Sequence, residues 1–587
     1  MNATKLSVKQ VGQNIAFLLA IIPAVLTGIL IVKYSVNVPY WDQWPLASMF
    51  EKIYAGTLTF QDLISQHNES RKLFPRLLFI GLAYLTGGDV RYEMLVSFIL
   101  ACLVSFNLYR LSLLTVGGSR VKLLLLACLS NLLIFSPIQD ENWLWGIQLI
   151  VFVPIACLTS CILAAYSNLS LRLQILIGII LSTISTFSYA NGLLCWVLVF
   201  PAIALAKPKA WKELLKQKWL IVAWIVGFIS NVVAYFYNYK KPPYHPSFSE
   251  GLLHPIKAVN YFLAFLGSPL AQNNLTVATI VGAILLLTFL GLVLYLLKFW
   301  QSNNLLNRTT GWLIIAGYTL ISTAITTSGR VGFGVEQSMA SRYATFAVYL
   351  AIPLIYLVAI IIEDAEIRKI IDGQNLTLNR IFSSGLTILV FLHVITAVYG
   401  IDRMHDSQVT RYKGKACLLL INVVKDDECL KRIWADPNDT KVKANVLNNL
   451  GFLKPKLLNS NKIEKIKGNQ VSGLDYGWVD GIEQVGKDKY MVRGWAVLPK
   501  KERPADGVVL SYENKQGESI AFAVASTEIK RKDVAKTLNK KAYVDSGWEK
   551  IISIDKIPKE RGKIKAWAFD ADTGKAFELN RSLMLEK

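Results

Sequence analysis

The chain has 587 residues, 53% of them hydrophobic, and carries 63 Lys and Arg against 41 Asp and Glu, a formal net charge of +22. Apolar stretches about twenty residues long recur from Asn14 to Gly400, so residues 1–400 are a polytopic membrane region and not a soluble core. The charge does not point to nucleic acid: the basic residues lie mainly in short loops between spans and in the tail, as the positive-inside rule demands, and no basic groove motif accompanies them.

In chain order, the first apolar segment runs from Ile15 to Val32. It is too long for a cleavable signal, lacks a small-residue cleavage site and is followed by many more spans, so it stays as an anchor. Just beyond it lies Tyr40-Trp41-Asp42-Gln43-Trp44-Pro45. A carboxylate held among Trp rings at the membrane surface suits chemistry at the bilayer boundary; equally, Asp42 caps a short surface helix with Pro45 near its start. The polar cluster His67-Asn68-Glu69-Ser70-Arg71 follows. Residues 73–86, containing Arg76, are apolar for only about fourteen residues, which predicts a helix lying along the outer surface. The result is a long first outer loop, 34–91, built from in-plane helices.

Basic loops set the topology. Residues 207–218 and the ends of the loops around 298–308 and 363–380 belong inside, which places 238–272, 329–342 and everything after 400 outside. Counting backwards, 188–192 is outside, Arg172 inside, Asp140-Glu141 outside, and Arg120 with Lys122 inside. About eleven spans follow, with a cytoplasmic N-terminus. Twelve is the alternative; a spanning 73–86 would put Lys5 and Lys9 outside.

This topology collects ionisable and aromatic residues on one face: Asp42; His67, Glu69, Arg71 and Arg76; Asp140, Glu141, Trp143 and Trp145; Tyr189 and Asn191; Tyr239 to His245, with Tyr244; and Arg330, Glu336, Arg342 and Tyr343. Ionisable groups at membrane depth are costly, and their gathering marks a functional site. Other signals carry less. Gly329-Arg330-Val331-Gly332-Phe333-Gly334 follows a span and reads as a flexible outer loop, not a nucleotide-binding turn. The Asn-x-Ser/Thr sequences at Asn68, Asn168, Asn274, Asn307, Asn375 and Asn438 occur on both sides of the membrane or near it and read as chance.

Residues 401–459 are polar with helical spacing and predict two or three short helices on the outer face. From 460 to 587 the pattern turns to short alternating runs broken by Gly, Pro and Asp. Residues 490–497, 507–512 and 563–570 read as strands, and their regular spacing predicts an all-β sandwich. Trp495 and Trp567 lie inside apparent strands, as core residues would. Five of the seven cysteines lie in spans and read as small apolar residues. Cys417 and Cys429 fall in the outer region, and the intervening residues allow a helix-turn connection, so a disulfide is expected between them; buried thiols on separate helical faces are the alternative.

A first span, a long outer loop with an Asp close after it and surface-lying helices, about ten more spans and a C-terminal outer domain together resemble the GT-C superfamily of membrane glycosyltransferases. The resemblance covers roughly residues 10–400, with short motifs in Trp41-Asp42-Gln43-Trp44, His67-Asn68-Glu69-Ser70-Arg71 and Ser341-Arg342-Tyr343. It implies transfer of a sugar from a polyprenyl-phosphate donor to a glycan, lipid or protein acceptor at the outer face of a bacterial inner membrane, usually with inversion. Asp42 matches the family's first-loop acid and would be the general base. Arg342 and Arg330, with Arg71 and Arg76 behind them, would grip the leaving phosphate. Glu69 and His67 would position the acceptor or, in members that use one, hold a divalent metal such as Mg or Mn. Trp41, Trp44, Trp143 and Trp145 either stack on sugar rings or form an interfacial aromatic belt.

The C-terminal module, through Gly494-Trp495-Ala496, Arg531-Lys532-Asp533-Val534-Ala535 and Ser546-Gly547-Trp548, resembles small all-β modules appended to bacterial glycan-assembly enzymes, which bind carbohydrate or simply pack. Two rivals come from other classes. A flippase of lipid-linked glycans would need polar residues at mid-span on several helices, whereas a sensor whose β-module binds a ligand would show no turnover.

Overall fold

The computed structural model describes residues 8–271, 274–299, 301, 303–368, 376–553 and 562–585. Lys5, Asn375 and the 369–375 part of the expected inner loop lie outside the described residues. The chain forms two compact units, one of residues 1–35, 59–79 and 91–405, the other of 36–58, 80–90 and 406–587.

The first unit is helical. Among the described residues nine helices of the chain are long and apolar enough to cross a membrane, including Lys9–Tyr34, Lys218–Phe236, Asn304–Phe333 and Ser341–Ile367. Counting the bent pair Ala190–Leu205 and Ala210–Lys216 as one span makes ten, and Leu171–Thr186 is a shorter apolar helix. Ser119, Ser170 and Asn274 start three of these helices by accepting a backbone N–H, which satisfies a donor that would otherwise be orphaned in an apolar setting. Ser341–Ile367 is buried along most of its length, while Lys9–Tyr34 is largely exposed.

Residues 238–272, expected as an outer loop, contain a further helix, Pro255–Ala271. It packs against Leu275–Lys298 backbone to backbone. A Cβ on Gly267 would stand 2.0 Å from the Ala278 carbonyl oxygen, and one on Gly282 would stand 1.9 Å from that of Leu263. Small residues at such a crossing allow an approach that larger side chains forbid. At another helix end, Glu363 pairs with Lys122 at 2.7 Å and with Arg308, and accepts the Gly117 N–H at 3.1 Å. This clasp ties three helices together.

Among the described residues the second unit contains two antiparallel five-stranded sheets. One has the order Lys575–Glu578, Gly562–Asp570, Gly507–Glu513, Ser519–Ala525, with Leu583–Leu585 also paired to Gly562–Asp570. The other runs Gly477–Gly486, Lys489–Leu498, Gly547–Ser553, Thr527–Ile529, with Arg503–Pro504 paired to Lys489–Leu498. Val492, Ala496 and Trp548 from the second share a core with Val508, Leu510, Ala566 and Ala568 from the first. Gly494 leaves room for this packing: a Cβ there would meet the Trp478 carbonyl oxygen at 2.2 Å and the Trp548 ring at 2.9 Å. Trp567 is buried and donates to Ser511 Oγ at 2.8 Å, whereas Trp495 is half-buried against Val497, Ala535 and Tyr543.

The same unit holds the helices Leu46–Tyr54 and Pro437–Asn449, whose cluster includes Trp44, Ala47, Phe50, Ala444 and Leu447. Cys417 and Cys429 are joined by a disulfide, with Cα atoms 6.1 Å apart. Two expected boundaries differ from the observed ones. The helix Leu376–Leu419 runs through residue 400 because its helical pattern continues through the polar stretch after Gly400. The outer loop 34–91 is divided between the units: 36–58 and 80–90 belong to the second, and the rest, chiefly 59–79, to the first.

Candidate functional site

The site grows from a two-strand hairpin in the first unit. Gln66–His67 pairs with Ser70–Arg71, and Asn68 takes φ +52° at the tip, a left-handed conformation that Asn tolerates better than most residues. The turn presents Glu69, whose carbonyl accepts the Tyr235 hydroxyl at 2.7 Å. Glu69 Oε1 pairs with Arg330 Nη2 at 2.6 Å, while Oε2 is buried and has no hydrogen-bond partner. A buried carboxylate oxygen left open is costly unless something fills that role.

Arg330 is the last residue of the helix Asn303–Arg330, where a cation complements the helix dipole. Its guanidinium also lies over the Phe333 ring at 5.9 Å. A second pair forms at the start of the next helix. Arg342 Nη1 lies 3.4 Å from Glu141 Oε2, and the same carboxylate oxygen accepts the Arg342 backbone N–H at 3.3 Å. Ser341 Oγ donates to the Ile138 carbonyl at 2.9 Å and accepts the Glu141 N–H at 3.2 Å, and Asn142 donates to the Arg342 carbonyl at 3.0 Å. The short helix Asp140–Leu144 is thereby locked to the start of Ser341–Ile367.

Two tyrosines, half-buried Tyr189 and fully buried Tyr261, have perturbed hydroxyls in this part of the unit. Tyr189 stacks on Phe346; burial and then the nearby Glu69 and Tyr343 raise its hydroxyl pKa, and Arg330 and Arg342 oppose the rise. Tyr261 is raised in the same way by burial and Tyr343, against the same two arginines. His245 faces Phe333 edge-on at 6.3 Å. Burial and Arg330 lower its pKa, Glu69 raises it and Lys241 lowers it, with a net fall that favours the neutral ring.

Other candidates fall elsewhere in this geometry. Arg71 donates to the carbonyls of Tyr235, Ile64 and Tyr237. Arg76 donates to those of Asp62, Leu63 and Ser65. Their donors brace the hairpin and the turn before it instead of facing an open anion site. Asp140 is buried and pairs with Arg403 at 3.0 Å. Trp143 is fully buried, donates to the Ser136 carbonyl and packs on Phe152, so its ring is core and not a sugar platform. Tyr244 is exposed and donates to Asn68 Oδ1 at 2.5 Å. Glu336 is exposed on the turn Val335–Met339, and His67 is half-buried in the hairpin. Among the described residues no group of three or more His, Cys, Asp or Glu side chains gathers into a metal site.

Asp42 lies in the second unit, half-buried in the turn Trp41–Gln43. That turn is anchored from far along the chain. Ile433 O accepts the Trp41 N–H at 2.8 Å and the Trp44 indole N–H at 3.2 Å, and the Trp41 ring meets Trp434 edge-on. The Arg411 guanidinium lies 4.3 Å from the centre of the Tyr40 ring. Tyr261 does not stand out in the sequence because 238–272 reads as an outer loop; the apolar run Tyr261-Phe262-Leu263-Ala264-Phe265-Leu266 is the signal that marks its helix. No protein-family model, curated protein or solved structure matches the chain.

Proposed function

We propose that the protein is a multi-pass glycosyltransferase of the GT-C type in a bacterial inner membrane, taking a sugar from a polyprenyl-phosphate donor to an outer-face acceptor with inversion. One observation supports this above others: Arg330, at the end of one helix, and Arg342, at the start of the next, are each held in orientation by a carboxylate, Glu69 and Glu141. Two oriented guanidinium groups in a partly dry setting can take up the charge developing on a departing phosphate. Eleven spans are reached by adding Leu171–Thr186 and the bent pair to the nine long apolar helices. In this reading Leu73–Thr86 lies on the outer surface, the N-terminus is cytoplasmic and the C-terminal domain extracytoplasmic. The two sheets with a common core support the sandwich reading of that domain.

Asp42 is the proposed general base. A second assignment, Glu69, is favoured by its unpartnered Oε2 beside Arg330. Purified protein in nanodiscs, given a panel of polyprenyl-phosphate sugars and candidate acceptors, should release polyprenyl phosphate detectable by mass spectrometry. Asp42→Asn should lower the rate by roughly 10²–10⁴-fold with donor binding kept. Loss in Glu69→Gln with near-normal Asp42→Asn would move the base to Glu69. Passage of intact donor across the bilayer, with no phosphate released, would replace the transferase by a flippase.

A further inference from the structure

The helix Lys218–Phe236 exposes Trp219, Val222, Val226, Ile229, Val233 and Phe236. Their spacing of three and four residues makes one continuous apolar face, as expected of a lipid-facing span. The face does not end with the helix. Beyond it Phe248 is 61% exposed, Leu252 84%, Leu253 69% and Ile256 77%. Lys240, Lys241 and Lys257, flanking these residues in sequence, are exposed, Lys241 Nζ lies 5.3 Å from the Phe248 ring centre, and the one acidic residue among them, Glu250, pairs with His254 at 3.4 Å. Large apolar side chains flanked by lysines suit the boundary between acyl chains and acidic headgroups.

This segment is also fastened to the hairpin that carries Glu69. Lys240 N–H donates to Gln66 Oε1 at 3.0 Å, and Gln66 Nε2 donates to the Lys240 carbonyl at 2.6 Å. Tyr244 reaches Asn68, and Arg71 holds the Tyr235 and Tyr237 carbonyls. On the Arg330 side, a Cβ on Gly332 would stand 2.6 Å from Pro246.

We infer that residues 237–257 are a bilayer-seated cover: Phe248, Leu252, Leu253 and Ile256 enter the leaflet that the Lys218–Phe236 helix reaches, and the three lysines take anionic headgroups. The occupant of this surface is lipid. The seat fixes the segment from the membrane side, and its hydrogen bonds pass that constraint to the Glu69 hairpin. The inference does not depend on which reaction the site performs.

The test uses full-length protein in nanodiscs, with the free cysteines replaced by Ala and an environment-sensitive fluorophore on Leu252→Cys or, as an exposed control in the β-rich region, on Gln516→Cys. At Leu252→Cys, quenching by aqueous iodide should be at least about three-fold weaker than at the control, and lipid with a nitroxide near the headgroup end of its acyl chain should quench strongly. Replacing phosphatidylcholine in part by phosphatidylglycerol should deepen the nitroxide quenching, and Lys240→Gln/Lys241→Gln/Lys257→Gln should abolish that gain. Iodide quenching equal to the control would overturn the inference. So would shielding from both quenchers, which would mean that protein covers the segment. Equal nitroxide quenching in both lipids would overturn the headgroup assignment.

Discussion

The anchoring of the Asp42 turn can be tested without an enzyme assay. Cys417 and Cys429 are 12 residues apart in sequence, and cross-linking a loop of that length stabilises by about 3 kcal/mol in the chain-entropy model. The bridge holds the start of the segment 429–434, whose Ile433 carbonyl receives both the Trp41 amide and the Trp44 indole. Two such hydrogen bonds are worth about 1–3 kcal/mol together, no more than the bridge, so its loss leaves the segment and the turn it anchors more weakly held. In Cys417→Ser/Cys429→Ser, amide exchange of a peptide covering 38–46 should accelerate by up to about a hundred-fold, the equivalent of the lost constraint. A peptide covering 507–513, in the middle of a sheet, should change little. Hydrogen–deuterium exchange read by mass spectrometry on the full chain in detergent gives both numbers. Unchanged exchange at 38–46 would refute the anchoring, and equal acceleration at 507–513 would show general unfolding instead.

Three other outcomes are expected. Because Arg342 offers a planar fork where Lys offers a point charge, Arg342→Lys should impair donor turnover nearly as much as Arg342→Ala; full activity of the Lys variant would leave Arg342 with a structural task only. Glu51→Cys and Asp89→Cys, before and after the Leu73–Thr86 helix, should both react with an impermeant thiol reagent from the outer side, and labelling from opposite sides would make that helix a span. In the β-rich region burial pushes the Asp572 carboxyl up, but Lys415, Lys501 and Arg503 more than offset it and hold the pKa down to about 2. A lowered folded value means that this stabilisation is present above the ordinary carboxyl range and is lost as pH falls toward 2. Asp572→Asn should flatten the acid limb of the unfolding curve, and an unchanged limb would contradict the assignment.

What was legible in the chain follows from which forces are local. Strands such as Lys489–Leu498 and Gly562–Asp570 announce themselves because alternation with period two leaves little choice of face. The Leu73–Thr86 helix is found with the expected bounds because an apolar run of that length has no other economical form. The Pro255–Ala271 helix is hidden for the opposite reason: it follows a long polar stretch and lies inside 238–272, which the loop charges place outside as a loop. Its cause is a tertiary one, the glycine crossing at Gly267 and Gly282.

The candidate site divides along the same line. Residue type says what chemistry a side chain can offer, but only geometry says whether the offer is already taken. Arg71, Arg76, Arg330 and Arg342 look alike in sequence as phosphate ligands. The first two are turned onto backbone carbonyls, because the hairpin and the 62–65 turn leave acceptors that must be satisfied. The other two stand at helix ends with carboxylates beside them, so an incoming anion would meet guanidinium groups held in orientation but only partly shielded from solvent. A carboxylate partner lowers the cost of keeping such a cation in a dry site, and also competes with the ligand it awaits. If Arg330 takes the phosphate as proposed, Glu69 has to yield part of its contact. The open Oε2 of Glu69 is then the atom best placed to find a new partner, such as an acceptor hydroxyl, as the first contact loosens.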